Sequence, residues 1–316
     1  MAKDSGIILE IQRMSTEDGP GIRTTVFFKG CSLQCTWCHN PESIALKPQI
    51  HWIGARCIGC RTCLKTCTRG ALALDDKGMR IDRAICTGCG DCAEACPSTA
   101  MELLGHAWEL EALIDEVIKD KAYFEASGGG VTISGGEPTM QTAFAAALLE
   151  GLKRWGIHTA LDTCGQCPQK SLETLLPFTD MVLFDIKLLD PLQHQSFTGH
   201  TNELILANLT HVATAMGGKG GALWIRTPII PQATDTPENI SAIGAYIAHT
   251  VGGRVQRWEL CAFNNLCRDK YRRLDRDWAF KDCELIPKVR MEELAAVAKN
   301  SGVDPGIVHW SGATRL

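Results

Sequence analysis

The chain has 316 residues, a formal net charge of −4, 45% apolar residues and 22% charged ones. That balance excludes a disordered or collagen-like chain and leaves no global basic footprint for nucleic acid. No apolar run reaches the eighteen residues of a membrane span, and the N-terminal MAKDSGIILEIQRMSTEDGPG lacks a signal peptide's apolar region; a cytoplasmic protein without membrane or nucleic-acid partners is expected.

Arg23–Gly30, RTTVFFKG, reads as a short strand ending in glycine. Directly after it the cysteines crowd together. Of sixteen in the chain, eleven fall between Cys31 and Cys96, and eight of those between Cys57 and Cys96. Disulfide frameworks belong to small secreted domains, so reduced cysteines in this number point to metal. Residues 51–105 have short turns and few long apolar segments, as in a module stabilised by its ligands.

From Trp108 onward helical and strand patterns alternate. WELEALIDEVIKDKAYF precedes GGGVTISGGEP, TAFAAALLEGLKRWG precedes IHTALDTCG, and SLETLLPF precedes DMVLFDIKLLD. ELILANLTHVATAMG then precedes ALWIRTPIIP, ENISAIGAYIAHTVGG precedes VQRWELCAF, and MEELAAVAKNSG lies near the end. This alternation predicts right-handed βαβ units on a parallel sheet. SGGEP, DTCG and DIK follow their strands, at the edge where β/α folds place chemistry.

Two cysteine segments share one spacing. Cys57, Cys60, Cys63 and Cys67 form C-x2-C-x2-C-x3-C, and so do Cys86, Cys89, Cys92 and Cys96, followed by Pro97. This is the bacterial ferredoxin run, whose fourth cysteine ligates the other cluster. One [4Fe–4S] cluster would take Cys57, Cys60, Cys63 and Cys96, the other Cys86, Cys89, Cys92 and Cys67. Thr68 stands where the motif usually has proline. A pair of zinc sites is the alternative, but zinc knuckles rarely repeat an identical four-cysteine run. The expected fold is therefore α/β, a partial (β/α)6-type TIM barrel from 1–50 and 106–316 with a bacterial ferredoxin-like domain inserted at 51–105.

Cys31, Cys35 and Cys38 form C-x3-C-x2-C. The second half with His39 also reads as C-x-x-C-H, a haem-attachment pattern, which does not need Cys31. Three thiolates on a four-iron cluster leave one iron open, as a catalytic zinc keeps an open position. An amino acid with free amino and carboxylate groups, such as methionine, can chelate it. His39, adjacent to Cys38, would have difficulty reaching the same cluster.

In this triplet, with Trp37 before its last cysteine, the chain resembles the radical S-adenosylmethionine superfamily. It is similar in particular to the glycyl radical enzyme activating enzymes, through DGPGIRTTVFFKGC, CHN, the cysteine-rich insert, SGGEP, DTCG, DIK and WIRTPIIP. The resemblance implies that Gly135, Gly136 and Glu137 receive the methionine amino group, with Trp37 near the adenine. It implies that Asp162, Thr163 and Asp185 can hold a monovalent cation, and that Lys187 and Arg226 contact the cofactor. Asp18 and Arg23 match a structural N-terminal motif. Asn264 stands where the family often has a histidine near the adenine or ribose; it can hydrogen-bond the nucleoside but cannot titrate.

The activity so implied is oxygen-sensitive. Three [4Fe–4S] clusters receive electrons from a flavodoxin or ferredoxin, and S-adenosylmethionine is cleaved to a 5′-deoxyadenosyl radical. That radical takes a hydrogen from a glycine α-carbon of a partner, a glycyl radical enzyme. Two rivals are a radical enzyme acting on a peptide or small molecule and a pure electron-transfer ferredoxin. Cys164 and Cys167 could form a redox dithiol, but Cys164 is expected to fill the small position of a turn. Cys261, Cys267 and Cys283 are expected to be buried as hydrophobes. A monomer is expected.

Overall fold

In the computed structural model, which describes residues 3–315, the chain forms a nine-stranded sheet and two two-stranded ones. The strands are β1 (Ser5–Ser15), β2 (Arg23–Phe28), β3 (Gln49–Trp52), β4 (Leu72–Asp75), β5 (Gly78–Ile81), β6 (Met101–Leu104) and β7 (His106–Glu109). They continue with β8 (Gly130–Gly135), β9 (Thr159–Thr163), β10 (Met181–Asp185), β11 (Ala222–Ile229), β12 (Arg257–Ala262) and β13 (Val308–Ser311). The large sheet runs β13-β12-β11-β10-β9-β8-β2-β1-β7. From β2 to β13 all neighbours are parallel, whereas β1 is antiparallel to both β2 and β7. The edges β7 and β13 do not pair, so the sheet is open, consistent with a partial barrel.

Period-two alternation divides the side chains between two faces. Val26, Phe28, Val131, Ile133, Leu161, Val182, Phe184, Leu223 and Ile225 join the large core beneath the helices. That layer includes the helices Thr142–Arg154 and Glu203–Gly218, whose Leu148, Leu149, Leu209 and Val212 are fully buried. The intervening residues Ala160, Met181 and Leu183 form a separate small cluster with Ala222 and Trp224. Two residues along from Ala160, Leu183 and Trp224, Asp162 and Asp185 stand at the carboxyl ends of β9 and β10, and Arg226, in register with Asp185, lies within β11.

At the start of β2 lies a fully buried arginine. Arg23 donates to Thr132 Oγ1 at 2.6 Å, to the Val131 carbonyl at 2.7 Å and to the Pro20 carbonyl at 3.3 Å. Burial lowers its pKa to about 10, so it remains a cation at neutral pH.

Residues from β3 to β6 pair among themselves, β3 with β6 and β4 with β5, both antiparallel. Their apolar cluster, Ile50, Cys63, Met79, Cys92 and Met101, is separate from the main core. Arg83 ties this segment to the C-terminal region. Its guanidinium donates to Ile50 O and Arg273 O, both at 3.0 Å, and meets Asp275 at 2.8 Å.

Candidate active site

Cys31 to Cys38 form a loop directly after β2, pinned at several points. Gly30 N donates to Ser43 O at 2.7 Å and Cys31 N to Ile44 O at 3.0 Å. Gln34 N and Thr36 N donate to Thr198 O and Phe197 O, at the end of the helix Pro191–Thr198. Trp37 is buried, with its ring centroid 5.6 Å from that of Phe197 and 6.5 Å from that of Phe280. A loop so anchored presents its thiols without conformational search.

All three thiols face a single cavity of about 370 Å³, within the usual range for small-molecule sites. Gly135, Gly136, Asp162, Thr163, Asp185, Lys187, Arg226 and Asn264 line it too, as does Trp37. The fold thus brings together all but one of the residues expected there.

The exception is Glu137, a departure from the expectation that its carboxylate meets an ammonium group. It is fully buried and accepts hydrogen bonds from Thr139 N (3.1 Å), Thr139 Oγ1 (2.8 Å), Thr163 Oγ1 (2.9 Å) and Cys164 N (2.8 Å). Its carboxylate therefore knits the loop after β8 to the end of β9. The glycines before it are also constrained by the chain itself. A Cβ on Gly135 would lie 2.3 Å from Phe28 N, and one on Gly136 would lie 2.2 Å from Gly30 O. Their backbone can face a ligand, but the absence of a side chain serves packing against the cysteine loop.

Charges alternate across the cavity floor. Lys187 Nζ donates to Asp185 at 2.5 Å, while Arg226 lies 3.7 Å from Asp162 and 4.0 Å from Asp18. Ser134 Oγ also donates to Asp162 at 2.6 Å. Burial nevertheless pushes Asp162 up to about 7, against the pull of Arg226. Burial pulls Lys187 down, but Asp185, Cys35 and Cys164 together outweigh it and hold the ammonium charged.

Cysteines dismissed as fillers lie closer to the chemistry than expected. Cys164 lines the cavity beside Cys31, and the proximity of the two thiols draws the Cys31 proton affinity down and that of Cys164 up. Cys261 also lines it, pushed by burial to about 11. His39 is a further wall residue, kept neutral by burial, and its Nε2 has no hydrogen-bond partner among the described residues. Its signals in the sequence were the C-x-x-C-H pattern and the CHN motif, neither of which points to a cavity wall.

In the insert, Cys57, Cys60, Cys63 and Cys96 surround one small cavity, with Ile58 and Arg61 at its wall. The charge of Cys96 acts on Cys60 and Cys63, while that of Cys67 acts on Cys92 beside Cys86 and Cys89. Among the described residues no three His, Cys, Asp or Glu side chains converge as tightly as a single metal ion requires. A four-iron cube holds its thiolates further apart than one ion does.

A family model for the radical SAM superfamily matches residues 25–240. The chain belongs to that superfamily. Two relatives place it further. It is 37% identical to the (2S)-3-sulfopropanediol dehydratase activating enzyme of Klebsiella oxytoca, over 89% of each chain. It is 39% identical to the isethionate sulfite-lyase activating enzyme of Oleidesulfovibrio alaskensis, over 96% of this chain and 97% of that one. A radical SAM methyltransferase from Sphaerobacter thermophilus shares the fold, with a TM-score of 0.54, 12% identity, and coverage of 97% of this chain and 78% of the other. The chain is thus a radical SAM enzyme of the glycyl radical enzyme activating group. Such enzymes use S-adenosylmethionine and a [4Fe–4S] cluster to install a glycyl radical on a partner enzyme.

Proposed function

We propose that Cys31, Cys35 and Cys38 hold the family's [4Fe–4S] cluster and that the cavity beside them receives S-adenosylmethionine. One observation carries this reading: three thiols from a single pinned loop open into a cavity whose floor alternates cations and carboxylates. Three thiols suit a cluster with one iron left to an outside ligand, and the alternating floor suits a zwitterion bearing a sulfonium. Bound there, the cluster supplies the single electron that breaks the sulfonium bond to the adenosyl carbon. Lys187 and Arg226 attract the cofactor carboxylate, and Asp162 and Asp185 balance its positive groups. Trp37 and Asn264 offer an apolar wall and an amide to the nucleoside. The Gly135–Gly136 backbone approaches the amino acid end. The monovalent cation gains no support of its own, since Lys187 holds Asp185 and the Thr163 hydroxyl is turned to Glu137.

The insert, 51–105, we read as a ferredoxin-like domain with two further clusters, on Cys57, Cys60, Cys63 and Cys96 and on Cys86, Cys89, Cys92 and Cys67. Its electron source would be a flavodoxin- or ferredoxin-type carrier. The relatives are named for a dehydratase and a sulfite-lyase, so one kind of site serves partners of differing bond chemistry.

Anaerobic reconstitution tests both parts. About twelve iron atoms per chain are expected, falling to about eight when Cys31, Cys35 and Cys38 become alanine and to about four when the eight insert cysteines do. With reductant and S-adenosylmethionine, 5′-deoxyadenosine should form, and a glycyl EPR doublet only with a partner enzyme present. Unchanged iron content in the triple-alanine variant would overturn the assignment.

A further inference from the structure

The insert is electrically lopsided. From Arg56 to Ala71 the chain carries Arg56, Arg61, Lys65 and Arg69 and no carboxylate. From Asp82 to Cys96 it carries Asp82, Asp91 and Glu94 against Arg83 alone. Arg56 is paired with Glu102 and Arg83 with Asp275. Arg61, Lys65 and Arg69 are exposed and make no ion pair among the described residues.

These cations lie close together in the chain. Arg61, in the left-handed region, directly precedes the short helix Thr62–Thr66, which carries Lys65. Arg69 follows in an exposed turn closed by Gly70 N donating to Cys67 O. Beside them Ile58 is 69% exposed and Cys60 is exposed, and both border the cavity of Cys57, Cys60, Cys63 and Cys96. The other cysteine run, whose Cys89 is also exposed, carries acidic side chains instead and packs at Gly88 against the chain leading out of the Cys31 loop, where a Cβ would lie 2.1 Å from Pro48 O.

We propose that this basic end, with exposed Ile58, Arg61, Lys65 and Arg69, is the docking surface for a small acidic one-electron carrier protein of flavodoxin type. The proposal rests on the reading of the insert as a cluster-holding domain. Three cations without internal partners remain available to an opposing acidic surface, and unpaired like charges at an interface are tolerated only when the partner supplies the opposite sign. An isolated exposed apolar tip beside a cavity lined by thiols gives the carrier's flavin edge a desolvated contact. Small charged interfaces of this kind favour rapid, short-lived electron-transfer encounters. A reduced carrier docked here loses one electron and the insert gains it, with no bond made or broken.

The test uses the reconstituted full-length enzyme, flavodoxin hydroquinone as reductant, and stopped-flow bleaching of the iron–sulfur absorbance without oxygen. Combining Arg61→Glu, Lys65→Glu and Arg69→Glu should slow reduction by about 10-fold or more at low salt and flatten its dependence on ionic strength. The single Lys65→Gln change, on an exposed helix face, should slow it by about 2-fold, a graded effect that misfolding would not give. Reduction by photoreduced 5-deazaflavin, a small uncharged reductant, should not change in either variant. The affinity of oxidised flavodoxin, read by calorimetry, should weaken in parallel. An unchanged rate and salt slope with about twelve irons per chain overturns the docking surface alone. About four irons in the wild-type chain overturns the cluster reading beneath it. Concentration-dependent self-association that the charge reversal abolishes would show the surface taken by a second copy, and that too overturns the proposal.

Discussion

The Tyr271 hydroxyl donates to the backbone carbonyl of Cys38 at 2.9 Å, so the last cysteine of the triplet is held from a helix more than 200 residues downstream. Cys267 Sγ approaches the same carbonyl at 3.8 Å. Burial raises the Tyr271 pKa, so the phenol keeps its proton and remains a donor throughout the working range. Tyr271→Phe should leave the fold intact, costing about 1 kcal/mol, and should free one end of the loop. The expected outcome is faster iron loss to a chelator from the reconstituted enzyme. An unaltered release rate would show that the loop's other anchors suffice.

Glu137 should behave as a stability residue. Replacing it with alanine strands buried donors on Thr139, Thr163 and Cys164 and should cost about 3 kcal/mol, seen as a lower Tm in the cofactor-free protein. A change in S-adenosylmethionine affinity with no change in Tm would instead restore Glu137 to the ligand.

Asp162 makes stability depend on pH in an unusual direction. Its folded pKa, about 7, lies above its ordinary value of 3.8. Between those values the folded state binds more protons than the unfolded one, so stability contributed by this group is lost as pH rises toward 7. The Asp162→Asn variant should gain on wild type in denaturant titrations as pH rises from about 4 to 7 and hold a constant difference above that. A flat difference across this window would contradict the raised pKa.

Gly136→Ala should be among the most damaging small changes, because its Cβ would meet Gly30 O at 2.2 Å in backbone that cannot swing aside. A loss of about 3 kcal/mol or failure to fold is expected in thermal unfolding. Gly218→Ala, at the end of the helix Glu203–Gly218 with nothing within 4 Å of its Cβ, should be neutral or raise stability by up to about 1 kcal/mol.

Much of this was legible in the chain because the relevant signals are local. Parallel strands alternate side chains between two faces, so DMVLFDIK announces both a core face and the placement of Asp185 and Lys187. Cysteine spacing is likewise a short-range pattern. What stayed hidden depends on distant chain segments. β1 reads as an uneven apolar stretch because its register shifts between Ile8 and Glu10 and again between Gln12 and Ser15, breaking strict alternation. The direction of the Glu137 carboxylate is set by β9, twenty-six residues away in Thr163, and no motif encodes which neighbour captures it. Cys261 looked like a core filler, and His39 an incidental neighbour of Cys38, until the fold placed both on one cavity.

Arg23 and the cluster of Ala160, Met181 and Leu183 are fully buried behind Asp162, Asp185 and Arg226. Packed side chains, not water, therefore back the charged floor of the cavity. In so poor a solvent each charge above is felt further and more strongly, which makes the floor selective for ligands whose own charges match it.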